Sequence, residues 1–545
     1  MAEIMPTLTL NRRTVEKLMA KKLPLEQLKD RISYLGTDLE SVSDDEIVVE
    51  VFPNRPDMLS EQGFARALAS FVGQAKGLLP YHAKPGKGEV HIDASVSSVR
   101  PFTACAIVRN LSLNDERIRE IIQMQEKLHV TYGRNRAKAA IGIYPLEKIA
   151  LPIRYMAKLP KDITFRPLEA AAEMTAIDII EQHPTGKAYG HLLEGKKLYP
   201  LFIDAKDNVL SMPPLINSHL TGRVTEETKD VFIECSGFDY VILHKLICII
   251  VTALVDMGGA AESMKLVYPD KTLTCPDFAP MKMKLDQGYA NSILGLKLGE
   301  KEISGHLERM GYGFEDGAAL VPCYRADVLH PIDLVEDIAI AYGFEHFEGE
   351  LPNIATVGKE DPLVKFCNTI ARLLIGQGLI EVNTFHLASK NELLWSKQKE
   401  QMALSNALAQ EYNTPRPSLL PSLLSVLAKN KHHDYPQHLF DIGAVFLEKG
   451  EEPRLGMAFC GHDADFTLAK RHLEAMLRSL GIPSEIHALA QPGFIPGRVG
   501  VIKEGNDPLG HIGEVHPEVL SAFGIEMPVS YAELDVKELL RIVSF

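Results

Sequence analysis

YRADVLHPIDLVEDIAIAYGF, residues 324–344, is the stretch on which the reading of this chain turns. It places Arg-x-Asp-x-Leu at the head of a helix. Upstream, SGHLERMGYG (304–313) reads as a helix stopped by Gly311, a residue suited to a left-handed cap, and Ala319–Cys323 reads as an apolar strand. The same order occurs once before. LEQLKDRISYLG (25–36) ends at Gly36, Ile47–Phe52 is β-branched and apolar, and NRPDMLS (54–60) supplies a second Arg-x-Asp-x-Leu. An internal duplication at this level predicts two small α+β modules, near 1–75 and 270–350.

Working outward, residues 80–265 mix loops with short strands at Ala104–Val108, Ala139–Ile143, Tyr199–Ile203 and Asp230–Glu234, as a large insert between the modules would. After Pro352, Leu363, Phe366, Ile370, Leu373 and Leu374 fall on one helical face. That helix stops at Gly376 and Gly378, and Leu379–Leu387 is expected to run on as a strand. Further strands at His438–Phe446 and Arg454–Phe459 predict that 355–545 is built on an antiparallel sheet. The fold class is therefore α+β, in several domains.

With 545 residues the chain exceeds one hydrophobic core, and its 46% hydrophobic and 24% charged content is that of an ordinary globular protein. The apolar run Leu246–Val255 is far short of the roughly 20 residues of a membrane span and predicts a buried helix. No signal core or transit pattern opens the sequence, Met5 is a second candidate start, and a cytoplasmic location is expected. Seven cysteines, never spaced C-x-x-C, argue against a disulfide framework or thiolate zinc site. A net charge of −14 disfavours a broad RNA-gripping face, so RNA contact should be local or shared.

Asp327, Asp333, Glu336 and Asp337 form the sharpest constellation. The last three stand at i, i+3 and i+4 on one helix turn, and four hard oxygen donors suit Mg²⁺. Asp333-Leu-Val-Glu336 also reads as a capping box, with Asp333 as N-cap and Glu336 reaching back. Both readings stand on these residues. In the first module the equivalent positions are Gly63, Arg66 and Ala67, so that copy folds without the acids.

The run 324–344 resembles the magnesium-binding module of phenylalanyl-tRNA synthetase β subunits of the archaeal and eukaryotic type, which implies Asp327, Asp333, Glu336 and Asp337 as ligands. QEKLHVTYGRNRAKAAIGI (125–143), LSMPPLIN (210–217) and DVFIECSGFD (230–239) resemble that family's editing domain. The resemblance implies hydrolysis of tyrosine wrongly esterified to phenylalanine tRNA, at a pocket lined by Ser211, Asn217, Glu234 and Ser236. Ser211 can equally organise a turn, and Glu234 can simply face outward from a strand. A pocket for phenylalanine rejects an added hydroxyl only about a hundredfold, so a second site has a physical purpose. Lys127, Arg134, Arg136 and Lys138 form the most basic short run, fit for tRNA phosphate or for a solvated helix end. Tyr144-Pro145-Leu146-Glu147 departs from the family's usual Tyr-Asp-Leu-Asp.

From 376 onward, GQGLIEVNTF, SLLPSLL, LFDIGAVF and GHIGEVHP resemble the family's class II synthetase-like core. The arginine-bearing motifs F-R-x-E and G-x-G-x-x-x-R, which hold ATP in that fold, do not occur between 355 and 545. The resemblance thus implies a non-catalytic half, with ATP and Mg²⁺ used by a complex, an α subunit completing an α₂β₂ assembly, and tRNA(Phe) as substrate. His511, Glu514 and His516 lack a zincin spacing. A free-standing RNA-binding or assembly protein and an independent trans-editing hydrolase are the alternative readings.

Overall fold

The computed structural model describes residues 6–354, 356–399, 402–409 and 411–543; Met5 lies outside them. The chain forms two compact units, 1–350 and 351–545.

Within the first unit the duplicated segments share one topology. In the first copy, strand Thr7–Asn11 pairs with Glu46–Glu50, which pairs with Asp38–Val42. In the second, Met281–Lys284 pairs with Ala318–Val321, which pairs with Gly313–Glu315. Two helices fill the first connection of each copy, Arg12–Leu18 and Leu25–Tyr34 in one, Gln287–Leu294 and Glu300–Arg309 in the other. A third helix closes each copy, Glu61–Phe71 and Pro331–Tyr342.

The two copies pack reciprocally. A Cβ on Gly36 would lie 3.9 Å from Ile340 of the second copy, and one on Gly311 would lie 3.7 Å from Ser70 of the first. Both glycines sit at positive φ, +91° and +83°. Each therefore ends its helix in a conformation costly for other residues and lets the other copy's closing helix approach. The Arg-x-Asp motifs become buried bidentate ion pairs. Arg55 donates to Asp57 at 2.9 and 2.8 Å, and Arg325 to Asp327 at 2.8 and 2.6 Å.

Residues 84–275 form a ten-stranded mixed sheet. Its path runs from Ile216–Asn217 through Val209–Met212, Tyr199–Ile203, Ile153–Lys158, Lys84–Ile92, Ala260–Val267, Phe102–Arg109 and Val231–Gly237 to Ala139–Pro145. The two ends of that path meet: the Tyr144 hydroxyl lies 3.3 Å from Asn217 Oδ1. A twisted sheet of this width curls on itself, and here it nearly closes. Helix Tyr240–Asp256, apolar around most of its circumference, packs on the sheet as a buried helix. No described helix is long and apolar enough to cross a membrane.

The second unit holds a seven-stranded sheet in the order Ile380–Glu381, Gln437–Leu447, Gly450–Cys460, Val529–Asp535, Asp507–Val515, Phe494–Glu504, Glu485–Ala488. All neighbours are antiparallel except the first pair. The strand expected over Leu379–Leu387 is corrected to two short pieces. Ile380–Glu381 joins the large sheet, and Leu387–Ala388 pairs separately with Thr414–Pro415. Polar residues between them cause the break: Val382 makes one last bond to Phe440 O, and the Thr384 hydroxyl then turns to the Asp441 carboxylate.

Candidate active site in the central sheet

Where the sheet's ends meet, a cavity of about 690 Å³ opens. Strand Val231–Gly237 presents Glu234 to it, opposite Gly142 of Ala139–Pro145, and Ser211 pairs with Asn217 on the other side of the seam. Glu234 Oε1 lies 3.1 Å from the Tyr144 hydroxyl and accepts from Ser211 Oγ at 3.4 Å. Its second oxygen, Oε2, is shielded from solvent and has no hydrogen-bond partner. Burial pushes the Glu234 carboxyl up to about 8 against the weaker pull of Tyr144, Arg100 and Ser211, so it is mostly protonated at neutral pH. Glycine at 142 makes room for this arrangement, because a Cβ there would come within 2.1 Å of the Tyr144 hydroxyl and 2.6 Å of Glu234 Oε1.

The cavity brings together Ser211, Asn217 and Glu234, but not Ser236. Arg100, itself buried, donates to the Ser236 hydroxyl and carbonyl at 3.2 and 2.7 Å, which ties that residue into the wall behind. The basic run divides. Arg136 is a cavity wall, donating to Leu215 O at 2.9 Å and Glu126 at 3.0 Å and stacking over Tyr189 at 4.4 Å. Arg134 is exposed, Lys127 is half-buried, and Lys138 lies over the Tyr132 ring; none of the three lines the cavity.

In the second module, Asp327 and Asp337 converge on Arg325: its Nη2 lies 2.6 Å from one and 2.7 Å from the other. The helix begins one turn earlier than a capping box on Asp333 requires. His330 is the N-cap, Pro331 follows it, and Asp333 is the third helical residue, accepting from the amides of Leu329 and His330 at 2.7 Å each. The expectation of Asp333 as N-cap with Glu336 reaching back is corrected accordingly, because proline best fits the first helical position. Glu336 is largely exposed, yet partial desolvation of its carboxyl, with the charges of Asp337, Asp333 and Asp327, raises it above the ordinary range. Among the described residues, the only metal-like trio with all ligand atoms within 4.8 Å is Asp38, Glu40 and Glu50, on the open face of the first module. In donor type and in excess negative charge the quartet fits a hard divalent cation, but its oxygens are not gathered around one point.

Residues 348–536 match the family described as phenylalanyl tRNA synthetase beta chain CLM domain, and residues 283–344 match the tRNA synthetase B5 domain. The phenylalanine–tRNA ligase beta subunit of Pyrococcus furiosus is 38% identical over 558 residues, covering 98% of this chain and 100% of the relative. That of Archaeoglobus fulgidus is 39% identical over 543 residues and covers 98% of each. The chain belongs to the phenylalanine–tRNA ligase β-subunit family.

A crystal structure of an N-terminal fragment of the phenylalanyl-tRNA synthetase β-subunit from Pyrococcus horikoshii is 37% identical, with a TM-score of 0.59 over 62% of this chain and 99% of the fragment. Some residues in or behind this cavity were not singled out in the sequence. Behind the lining, Tyr144 bonds Glu234 at 3.1 Å and Gly142 stands opposite it, a placement that only the closing of the sheet creates. His219 had no signal at all. In the second unit Arg416 is fully buried, donating to Ala444 O at 2.8 Å and to Asp441 at 3.2 Å, and so is spent on internal contacts.

Proposed function

We propose that this chain is the editing and scaffolding half of a phenylalanine–tRNA ligase. Its family membership places it with the charging of tRNA(Phe). The central cavity hydrolyses tyrosine wrongly esterified to that tRNA, while a separate α subunit, in an α₂β₂ assembly in the cytoplasm, activates phenylalanine with ATP. The observation that carries the editing reading is the free Oε2 of Glu234. A protonated, buried carboxyl with one unsatisfied oxygen can bond a tyrosyl hydroxyl, and a phenylalanyl ring would leave it unsatisfied at a cost of about 1–3 kcal/mol. Lys127, Arg134 and Lys138 would meet tRNA phosphate.

Asp327, Asp333, Glu336 and Asp337 would hold Mg²⁺, which when bound would neutralise their excess charge. Arg325 meanwhile orients Asp327 and Asp337, and the helix-start amides orient Asp333. For the α subunit, the second unit offers apolar side chains in solvent: Ile375, Ile380, Phe385, Leu394 and Trp395. Phe385 is 72% exposed, which a protein surface usually covers with a partner.

The test uses the purified α–β complex and preformed Tyr-tRNA(Phe). Replacing Ser211 and Glu234 with alanine together should abolish clearance of Tyr-tRNA while phenylalanine charging persists. Clearance at the unaltered rate would refute the pocket assignment.

A further inference from the structure

Hydrolysis of an aminoacyl ester needs a group that takes a proton from the attacking water and returns one to the ribose oxygen. Three carboxyls and three imidazoles in the cavity wall could take that proton. Glu234 is mostly protonated and engaged with Tyr144 and Ser211. Burial raises the Glu126 carboxyl, but bonds to His129 and Arg136 outweigh it and leave it below the ordinary range, a poor base. Glu169 stands in solvent at the rim.

Three imidazoles also line the cavity: His129, His183 and His219. His129 is locked, accepting from the Ile141 amide on Nε2 at 2.8 Å and facing Glu126 on Nδ1 at 3.2 Å. His183 is locked likewise, accepting from the Thr185 amide on Nδ1 while Nε2 lies 3.3 Å from Leu168 O. His219 differs. Its Nδ1 is shielded from solvent with no partner, and its ring makes no hydrogen bond to any described residue. Its backbone is nonetheless fixed, donating to Arg166 O at 2.9 Å, two residues beyond the pocket's Asn217. A held main chain with an uncommitted imidazole is the arrangement a proton carrier needs.

We infer that His219 is the general base of the cavity: it takes a proton from water as the water oxygen bonds to the ester carbonyl carbon, and hands it to the ribose oxygen as the ester C–O bond breaks. Water and ester become a free carboxylic acid, which releases its remaining proton to solvent, and a free tRNA hydroxyl, with no other reactant. This rests on the editing reading of the pocket.

The α–β complex would be assayed on preformed Tyr-tRNA(Phe). His219→Ala should lower kcat by about 100-fold, within the range of proton-transfer catalysis, with KM within about threefold. Free imidazole should restore at least about tenfold of the loss. His219→Asn, which keeps a hydrogen-bonding side chain but cannot carry the proton, should stay as slow, and phenylalanine charging should be unchanged in both variants. Wild-type clearance by His219→Ala, recovery in His219→Asn, failure of imidazole to restore the alanine variant, or a greater loss in Glu169→Gln would each overturn the assignment. Loss of clearance in Glu234→Ala alongside a fully active His219→Ala would reject His219 alone. Equal clearance by wild type and Glu234→Ala would reject the pocket reading beneath it.

Discussion

Glu234 is held in a state that folding makes costly. Its folded value of about 8 exceeds the ordinary carboxylate value, so between about pH 4.5 and 8 the folded chain binds a proton that the unfolded chain has lost. Stability should therefore fall as pH rises through that window, by up to about 1.4 kcal/mol per unit, and level off above it. Glu234→Gln, which keeps the shape without titrating, should flatten this part of the slope. Denaturant melts of wild type and variant at pH 5, 6.5 and 8 read the difference directly, and parallel curves would show that the carboxyl is ionised in the fold. Gly142→Ala should displace Tyr144 and Glu234, lowering stability by about 1–3 kcal/mol and slowing Tyr-tRNA clearance while phenylalanine charging persists. Part of this site was legible in the sequence. Ser211, Asn217 and Glu234 lie in motifs whose chemistry could be named, and they share one cavity. Tyr144 was not legible, because its bond to Asn217 spans 73 positions and exists only where the sheet's ends meet. Ser236 looked equivalent to Glu234 on the same strand, but a buried arginine 136 positions away claims it.

Elements repeat more faithfully than residues do. The strand order, the glycine stops and the buried Arg-x-Asp pairs recur in both modules, and pattern alone exposes them, since each is a local requirement of turn, cap or ion pair. What local pattern could not reveal is the reciprocal packing, in which each glycine stop receives the other copy's closing helix. Nor could it reveal the broken strand after Leu379, where tertiary bonds to Phe440 and Asp441 override an apolar run. Arg325 is the hinge of the second module's chemistry, because it neutralises Asp327 and Asp337 together. Replacing it with methionine should strand two buried carboxylates, a loss of about 3–5 kcal/mol. If the four acids hold Mg²⁺, millimolar Mg²⁺ should recover part of that loss in Arg325→Met, and further replacement of Asp333 and Glu336 by asparagine and glutamine should abolish the recovery. Thermal melts with Mg²⁺ or EDTA measure both effects, and an Arg325→Met midpoint indifferent to Mg²⁺ would count against the metal site.

At the scale of the whole chain, the two units differ in how their cores are laid out. The first buries a continuous core through both modules and the curled sheet, and its cavity is built entirely from its own strands and helices. The second divides its core between the two faces of its sheet and leaves Ile380 on an edge strand, with Phe385, Leu394 and Trp395 in solvent. Edge strands and exposed apolar side chains of this kind associate non-specifically unless a partner covers them. A fragment of residues 1–350 should therefore be monomeric, unfold in one cooperative transition and keep the Glu234 pH slope. The 351–545 fragment made alone should aggregate, and should become soluble when co-expressed with an α subunit. Replacing Phe385, Leu394 and Trp395 with serine should invert that result: the fragment should gain solubility alone and lose its capture of α. Light scattering and co-purification check both halves. A 351–545 fragment that stays monomeric unaltered, or a triple-serine variant that still captures α at full strength, would place the subunit contact elsewhere.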